Sequence, residues 1–166
     1  MSITLGALNR LRGEIAFKMV VIEELQKTIT KFTGKVNQDN PQEEFVTTIA
    51  ANMMRFYTGM EDILEQILRV FDDFQPQGES WHQSLLIASL NTTKHRPAIL
   101  CRATFNVLND LRGFRHVVQK AYTQPFDWGK MKHLAESAKE MLQAFSEDLK
   151  DFDAFLERAI DALDRS

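Results

Sequence analysis

Apolar residues recur every three or four positions through most of this chain, and this spacing constrains its fold more than any other feature. The first such segment runs from about Thr4 to Thr33, and similar segments continue as far as Leu163. This spacing is typical of amphipathic helices, whereas a strand would show alternation with a period of two, which no segment sustains. The 4 prolines and 7 glycines are also too few for the many turns of a β fold. The sequence therefore predicts an all-α protein.

Turns and capping signals divide the periodic segments into about five predicted helices. Their expected starts, in chain order, are near Thr4, Asn40, Ser80, Pro97 and Asp127. Asn40 is a good N-cap with Pro41 in the first helical position, and Ser80 forms a capping-box pattern with Gln83. We expect the fourth helix to run from Pro97 to about Tyr122. Such helices predict an up-and-down helical bundle in one domain that spans residues 1–166.

Composition and charge exclude several classes of protein. With 44% hydrophobic and 26% charged residues, the chain is typical of a soluble globular protein and not of a disordered one. A net charge of -3 excludes a generally basic protein that coats nucleic acid, although it permits a local basic patch. The single cysteine, Cys101, cannot form an internal disulfide, and charged residues interrupt the N-terminal apolar stretch that a signal peptide would need. The longest apolar run there is too short to cross a bilayer, so we expect a cytoplasmic protein without a membrane partner.

The sequence predicts no metal and no cofactor. Glu79 and His82 have the Glu-x-x-His spacing of di-iron bundles, but such a site needs a second pair and two further glutamates, and no second pair occurs. We interpret His82, His95 and His133 as isolated from carboxylate or cysteine partners at ligand spacing. Motifs for a nucleophile elbow or a phosphate-binding loop do not occur either.

Basic residues concentrate in the predicted fourth helix, which carries the strongest candidate site. Arg112, His116 and Lys120 are spaced four apart and share one stripe of the helix. Like charges stacked in this way destabilise a helix, so a purely structural helix would tend to alternate its signs. Guanidinium groups bind phosphate oxygens through paired hydrogen bonds, and an imidazole can transfer protons. We therefore predict RNA binding by Arg102, Arg112, Arg115 and Lys120. The alternative is a basic surface strip that forms ion pairs with the acidic last helix.

Arg115, Lys120 and Tyr122 form the sequence Arg-x(4)-Lys-x-Tyr. It resembles the signature Arg-x(4–6)-His-x-Tyr of the HEPN superfamily, in particular its HepT-like branch. The surroundings are similar to that branch over roughly residues 45–156. The segments that carry this wider similarity are Tyr57–Leu64, Gly78–His82, Arg96–Pro97 and Tyr122–Trp128.

The resemblance implies an α-helical bundle that forms a homodimer in which the motif helices face each other. HepT-like proteins are typically metal-independent endoribonuclease toxins, encoded beside a small MntA-like nucleotidyltransferase antitoxin. That partner can nucleotidylate the motif tyrosine, here Tyr122. By position, Arg115 would hold the scissile phosphate of single-stranded RNA. The resemblance thus implies the toxin component of a toxin–antitoxin pair.

Lys120 replaces the histidine that the signature uses for proton transfer. A lysine ordinarily keeps its proton at neutral pH and is a poor general base, so we expect the nuclease activity to be weakened or lost. His116 is the next candidate, although only three residues separate it from Arg112. Arg115 and Lys120 are about 140° apart on an ideal helix, so they could act together only if the helix ends or bends there, or if a partner subunit completes the site.

Three hypotheses therefore stay open. The first is a HepT-like toxin component that binds RNA with reduced or no cleavage. The second is a non-catalytic helical module that binds a nucleotidyltransferase. The third is a helical interaction protein with no role in nucleic-acid binding.

Overall fold

The computed structural model describes residues 3–120 and 125–166. Over these residues the chain forms helices and no strand, which confirms the predicted all-α bundle. The helices are α1 (Leu5–Thr33), α2 (Glu43–Asp72), α3 (Trp81–Leu90), α4 (Arg102–Lys120), α5 (Trp128–Glu136) and α6 (Ala138–Asp164). The long helices α1, α2 and α6 form most of the bundle, and α4 packs against α2, α3 and α6. None of the described helices combines the length and apolarity needed to cross a bilayer.

The first helix has the predicted bounds, whereas the second begins later than predicted. Thr4 caps α1, because its hydroxyl oxygen accepts the backbone N–H of Ala7. The second helix does not begin at Pro41 but at Glu43. The side chain of Asn37 explains the shift: its Oδ1 accepts the backbone N–H groups of Asp39 and Asn40, at 3.0 and 3.3 Å. Asn40 therefore belongs to a turn and not to the helix cap.

The fourth helix begins at Arg102 and not at the predicted Pro97, because Arg96 holds the preceding segment in a non-helical conformation. The Arg96 side chain is fully buried and forms an ion pair with Asp72. Its guanidinium also donates hydrogen bonds to the backbone carbonyls of Ala88, Asn91 and Pro97. These bonds join the ends of α2 and α3 to the segment that precedes α4.

The predicted last helix is divided in two at Ser137, which gives six helices in the described residues instead of about five. Both the backbone N–H and the hydroxyl of Ser137 donate to the carbonyl oxygen of His133, at 3.1 and 2.8 Å. Side-chain hydrogen bonds of serine to the preceding turn commonly bend helices. The bend lets α5 and α6 cover different parts of the core.

The core is centred on α2, whose residues are buried along its whole length from Val46 to Phe71. Helices α1 and α2 approach closely at Gly59, where a Cβ atom would lie 2.9 Å from the Ile22 side chain. Four polar or charged residues are also buried among the described ones: Glu61, Ser89, Arg96 and Thr104. Two of them carry charge, and burying a charge is costly unless it is paired. Arg96 is paired with Asp72, and Glu61 therefore needs partners of its own.

Candidate functional site

Glu61 places a carboxylate within the apolar face of α2, where it is only 4% exposed. Two donors approach the same carboxylate oxygen, Oε2. The Tyr57 hydroxyl donates to it at 2.6 Å, and Nδ1 of His82 lies 2.7 Å from it. Hydrogen bonds to an ionised group are stronger than neutral ones, so these two contacts offset part of the cost of removing the carboxylate from water.

His82, in the first turn of α3, connects Glu61 to α4. Its second ring nitrogen, Nε2, contacts Nη1 of Arg115. Because a guanidinium only donates, Nε2 accepts, and the ring proton is assigned to Nδ1, which donates it to Glu61. The Trp81 ring packs against the imidazole with the two centroids 3.6 Å apart. Hydrogen bonds thus run from Tyr57 through Glu61 and His82 to Arg115, and we call these four residues the polar chain.

The polar chain ends at a cavity of about 280 Å³ between α3 and α4. The residues that line it are Glu79, Ser80, His82, Gln83, Arg112, Arg115, His116 and Gln119. Sites for small molecules typically have volumes of about 300–1,000 Å³ and mostly apolar walls. This cavity is smaller, and its lining side chains are polar or charged. It therefore suits one charged group of a larger ligand that passes over the surface.

The two guanidinium groups at the cavity have no carboxylate partner among residues 3–120 and 125–166. Nε of Arg112 donates to the side-chain oxygen of Asn109 at 3.0 Å, and Arg115 contacts His82. Neither partner neutralises a positive charge when the imidazole is neutral. The lining thus has two arginines against one acidic residue, Glu79, and this excess of positive charge suits an anion.

Acidic residues of the last helix have other partners. Asp153 forms an ion pair with Arg12 of α1 at 2.6 Å, and Asp148 accepts the backbone N–H of Cys101 at 3.0 Å. Within the described residues, no ion pair joins α6 to the basic residues of α4. The alternative of a basic strip paired with the last helix thus has no support in these contacts.

Tyr57 stays protonated in this environment. Burial raises the pKa of its hydroxyl far above its usual range, and the hydrogen bond to Glu61 and the negative charge of that carboxylate act in the same direction. The positive charges of Arg112 and Arg115 oppose the rise. The hydroxyl therefore remains a donor to Glu61 at neutral pH, and the carboxylate stays oriented.

Three of the predicted site residues lie together at the cavity: Arg112, Arg115 and His116. Lys120 is exposed at the end of α4 and does not line the cavity. Arg102 is exposed at the other end of α4, about 20 Å from Arg115 along the helix axis. Tyr122 lies outside the described residues.

Tyr57, Glu61 and His82 were not among the site residues predicted from the sequence. His82 has no partner at metal-ligand spacing in the sequence, but it is not isolated in the structure, because Glu61, which lies on another helix, contacts it. A signal was available in the sequence: Glu61 follows Tyr57 by four residues, within the apolar stripe of the second helix. A charged residue at a position where periodicity predicts burial needs a partner, and the partner is often functional.

No group of three or more His, Cys, Asp or Glu side chains that could hold a metal ion occurs in the described part of the chain. Glu79 and His82 both line the cavity, but the two ring nitrogens of His82 already contact Glu61 and Arg115. The Glu-x-x-His spacing is therefore explained by a hydrogen-bonded histidine.

A family model described as HepT-like protein matches residues 48–156, about two thirds of the chain. The match includes the whole polar chain and all of α4. The chain belongs to the HepT-like family of the HEPN superfamily. This confirms the resemblance found in the sequence. The comparisons with curated proteins and with solved structures give no match to this HepT-like chain.

Proposed function

We propose that this HepT-like protein binds single-stranded RNA through Arg112 and Arg115 and acts as the toxin component of a toxin–antitoxin pair. Family membership supports the toxin role. The main support for the RNA site is the pair of guanidinium groups at the small polar cavity, which have no carboxylate partner among the described residues. The two arginines are three residues apart on one face of α4, so both can reach the phosphates of one strand.

The proposed reaction is endonucleolytic cleavage of that strand without a metal ion. In this reaction the 2′-hydroxyl attacks the adjacent phosphate, and negative charge grows on the non-bridging phosphate oxygens. Arg115 stabilises that charge, since preorganised donors at the reacting group are usually the largest contribution to catalysis. The absence of the signature histidine at Lys120 lowers the expected rate.

The proposed partners are a second copy of the chain and an MntA-like nucleotidyltransferase antitoxin that modifies Tyr122. We place the proposed protein contact on the outer surface of α4, where the apolar side chain of Val117 is 48% exposed beside the cavity residue His116. If the protein proves to bind its partner but not RNA, the alternative of a non-catalytic module that binds the nucleotidyltransferase gains support.

RNA binding at several salt concentrations tests the proposed site. Fluorescence anisotropy of a labelled single-stranded RNA is measured with the unmodified protein and with the double variant Arg112→Ala/Arg115→Ala. We expect the variant to bind about 100-fold more weakly or worse, since each of the two lost hydrogen bonds between charged groups is worth roughly 1.5–3 kcal/mol. The slope of log affinity against log salt should fall by about 1.4, or about 0.7 for each lost phosphate contact on a single strand.

The matched control removes two exposed arginines elsewhere, Arg10→Ala/Arg158→Ala. It makes the same change in net charge, and we expect it to leave the affinity within about twofold and the salt slope nearly unchanged. Equal losses in the two double variants would show that binding depends on net charge and not on the cavity. Unchanged binding in both would contradict the RNA site.

A further inference from the structure

We propose that His82 is the residue that accepts the 2′-hydroxyl proton at this site, and that Glu61 and Tyr57 are its positioning residues. This inference rests on the proposed RNA-cleaving function. The signature of the family supplies an imidazole from the motif helix, where this chain has Lys120. Here α3 supplies one from the opposite wall of the cavity.

The hydrogen bonds of His82 prepare it for proton transfer. Its Nδ1–H donates to Glu61, so the unprotonated nitrogen is Nε2, which faces Arg115 at the cavity. A buried carboxylate on Nδ1 fixes the ring orientation and stabilises the imidazolium that forms when Nε2 takes a proton. The Tyr57 hydroxyl holds the same carboxylate oxygen, and the Trp81 ring packs against the imidazole. Carboxylate, imidazole and cavity thus stand in the order that general base catalysis requires.

The contact between Arg115 and His82 ties the base to the phosphate. A phosphate bound by Arg115 lies next to Nε2, because the guanidinium touches that nitrogen. Without RNA, Arg115 donates to Nε2 and occupies its lone pair. When a phosphate takes over the guanidinium, Nε2 becomes free to accept a proton. Substrate binding therefore exposes the base.

The other candidates lack such support. His116 also lines the cavity, but it is exposed and has no carboxylate partner among the described residues. Lys120 does not line the cavity. Of the two imidazoles at the cavity, His82 is the one with an orienting carboxylate.

The proposed step balances as an internal transesterification. The 2′-hydroxyl proton moves to Nε2 of His82, and the 2′-oxygen forms a bond to phosphorus. The bond between phosphorus and the 5′-oxygen breaks, and that oxygen takes a proton from water. The products are a 2′,3′-cyclic phosphate and a 5′-hydroxyl, and His82 then returns its proton to solvent. No oxidation or reduction occurs.

Cleavage of a labelled single-stranded RNA in EDTA, at saturating protein, compares His82→Ala with His116→Ala and Lys120→Ala. We expect His82→Ala to lower the rate by about 100-fold or more, the usual scale for a positioned acid–base group, while RNA affinity changes by less than about threefold. The other two variants should lower the rate by no more than about tenfold, and the matched control His95→Ala, at an exposed histidine outside the cavity, should leave it unchanged. Added imidazoles should restore cleavage to His82→Ala, and the restored rate should rise with the pKa of the imidazole used. A purely structural role of His82 would not produce this dependence.

A second readout uses the unmodified protein and Glu61→Gln. Long-range ¹H–¹⁵N NMR of the histidine rings should show His82 with its proton on Nδ1 in the unmodified protein. In Glu61→Gln we expect this tautomer to lose its dominance, because the amide can donate to Nδ1 as well as accept from it. A proton on Nε2 in the unmodified protein would overturn the proposal whether or not the variants fold.

The outcomes separate this inference from the proposed function. If the unmodified protein cleaves RNA and His82→Ala does so equally well, the inference is wrong and the ribonuclease proposal stands. If RNA binds through Arg112 and Arg115 but is never cleaved, both the cleavage proposal and the role of His82 fail, while RNA binding stands. If RNA binding does not depend on the two arginines, the proposed function itself fails.

Discussion

Arg96 and Arg115 lie at opposite ends of the α3–α4 region, and their surroundings differ in one respect that matters for function. The guanidinium of Arg96 is fully buried, and all three of its nitrogens have acceptors, supplied by Asp72 and by three backbone carbonyls. Arg115 lines a cavity, and its one described partner is the imidazole of His82. The first charge is neutralised within the fold. The second has no carboxylate partner among the described residues.

The partners of the two guanidinium groups distinguish a structural arginine from one that we propose to bind a ligand. A buried arginine with a carboxylate and several carbonyls joins segments of chain, and here it joins the ends of α2 and α3 to the segment before α4. An arginine whose partner is a neutral ring keeps its net charge and some of its donors. Holding a positive charge in this way costs free energy unless an anion binds there. The surroundings of Arg115 therefore support its proposed role in binding a ligand.

Replacing each of the two arginines with alanine should change the free energy of unfolding by very different amounts. Arg96→Ala should lower the free energy of unfolding by about 3–5 kcal/mol, because it leaves Asp72 and three carbonyls without their partner. Arg115→Ala should change it by less than about 1 kcal/mol, since the cavity is open to water. Urea unfolding followed by circular dichroism, at one fixed protein concentration, measures both. A loss from Arg115→Ala as large as that from Arg96→Ala would show that Arg115 is a structural residue like Arg96.

A smaller effect tests the buried end of the polar chain. The raised pKa of Tyr57 means that the folded protein keeps a proton that the unfolded chain releases above about pH 10. The stabilisation that comes from this proton is therefore present in full below about pH 10 and is lost as the pH rises above it. Between about pH 10 and 12, the free energy of unfolding should fall by about 1.4 kcal/mol per pH unit more in the unmodified protein than in Tyr57→Phe. Parallel curves for the two proteins would show that the Tyr57 hydroxyl is not held by Glu61 in the buried site.

Much of the fold could be predicted from sequence because helical periodicity is a local property. The bounds of α1 follow from the Thr4 cap and the apolar spacing. The boundaries that were wrong depend on contacts that are distant in sequence or chemically ambiguous. Pro97 does not begin α4, because Arg96 binds Asp72, 24 residues earlier. Ser137 carries no mark in the sequence that distinguishes a helix bend from an ordinary helical serine.

The site was predicted only in part, for the same physical reason. Arg112, Arg115 and His116 share a helix, so their spacing placed them together. Glu61 and His82 lie on two different helices, and only packing brings their side chains within 2.7 Å. The charged residue in the apolar stripe of α2 indicated that a partner was needed, but not which one.

One titration that follows both arginines tests most directly whether Arg115 and His82 bind RNA while Arg96 does not. A single-stranded RNA whose 2′-hydroxyls are replaced by hydrogen cannot be cleaved, and it is added to ¹⁵N-labelled protein while the Arg Nε–H and histidine ring signals are recorded. We expect the signals of Arg115 and His82 to shift together and saturate at one RNA concentration, while the signal of Arg96 does not move. Saturable binding that leaves Arg115 and His82 unshifted, or that shifts Arg96 as much, would contradict the proposed site.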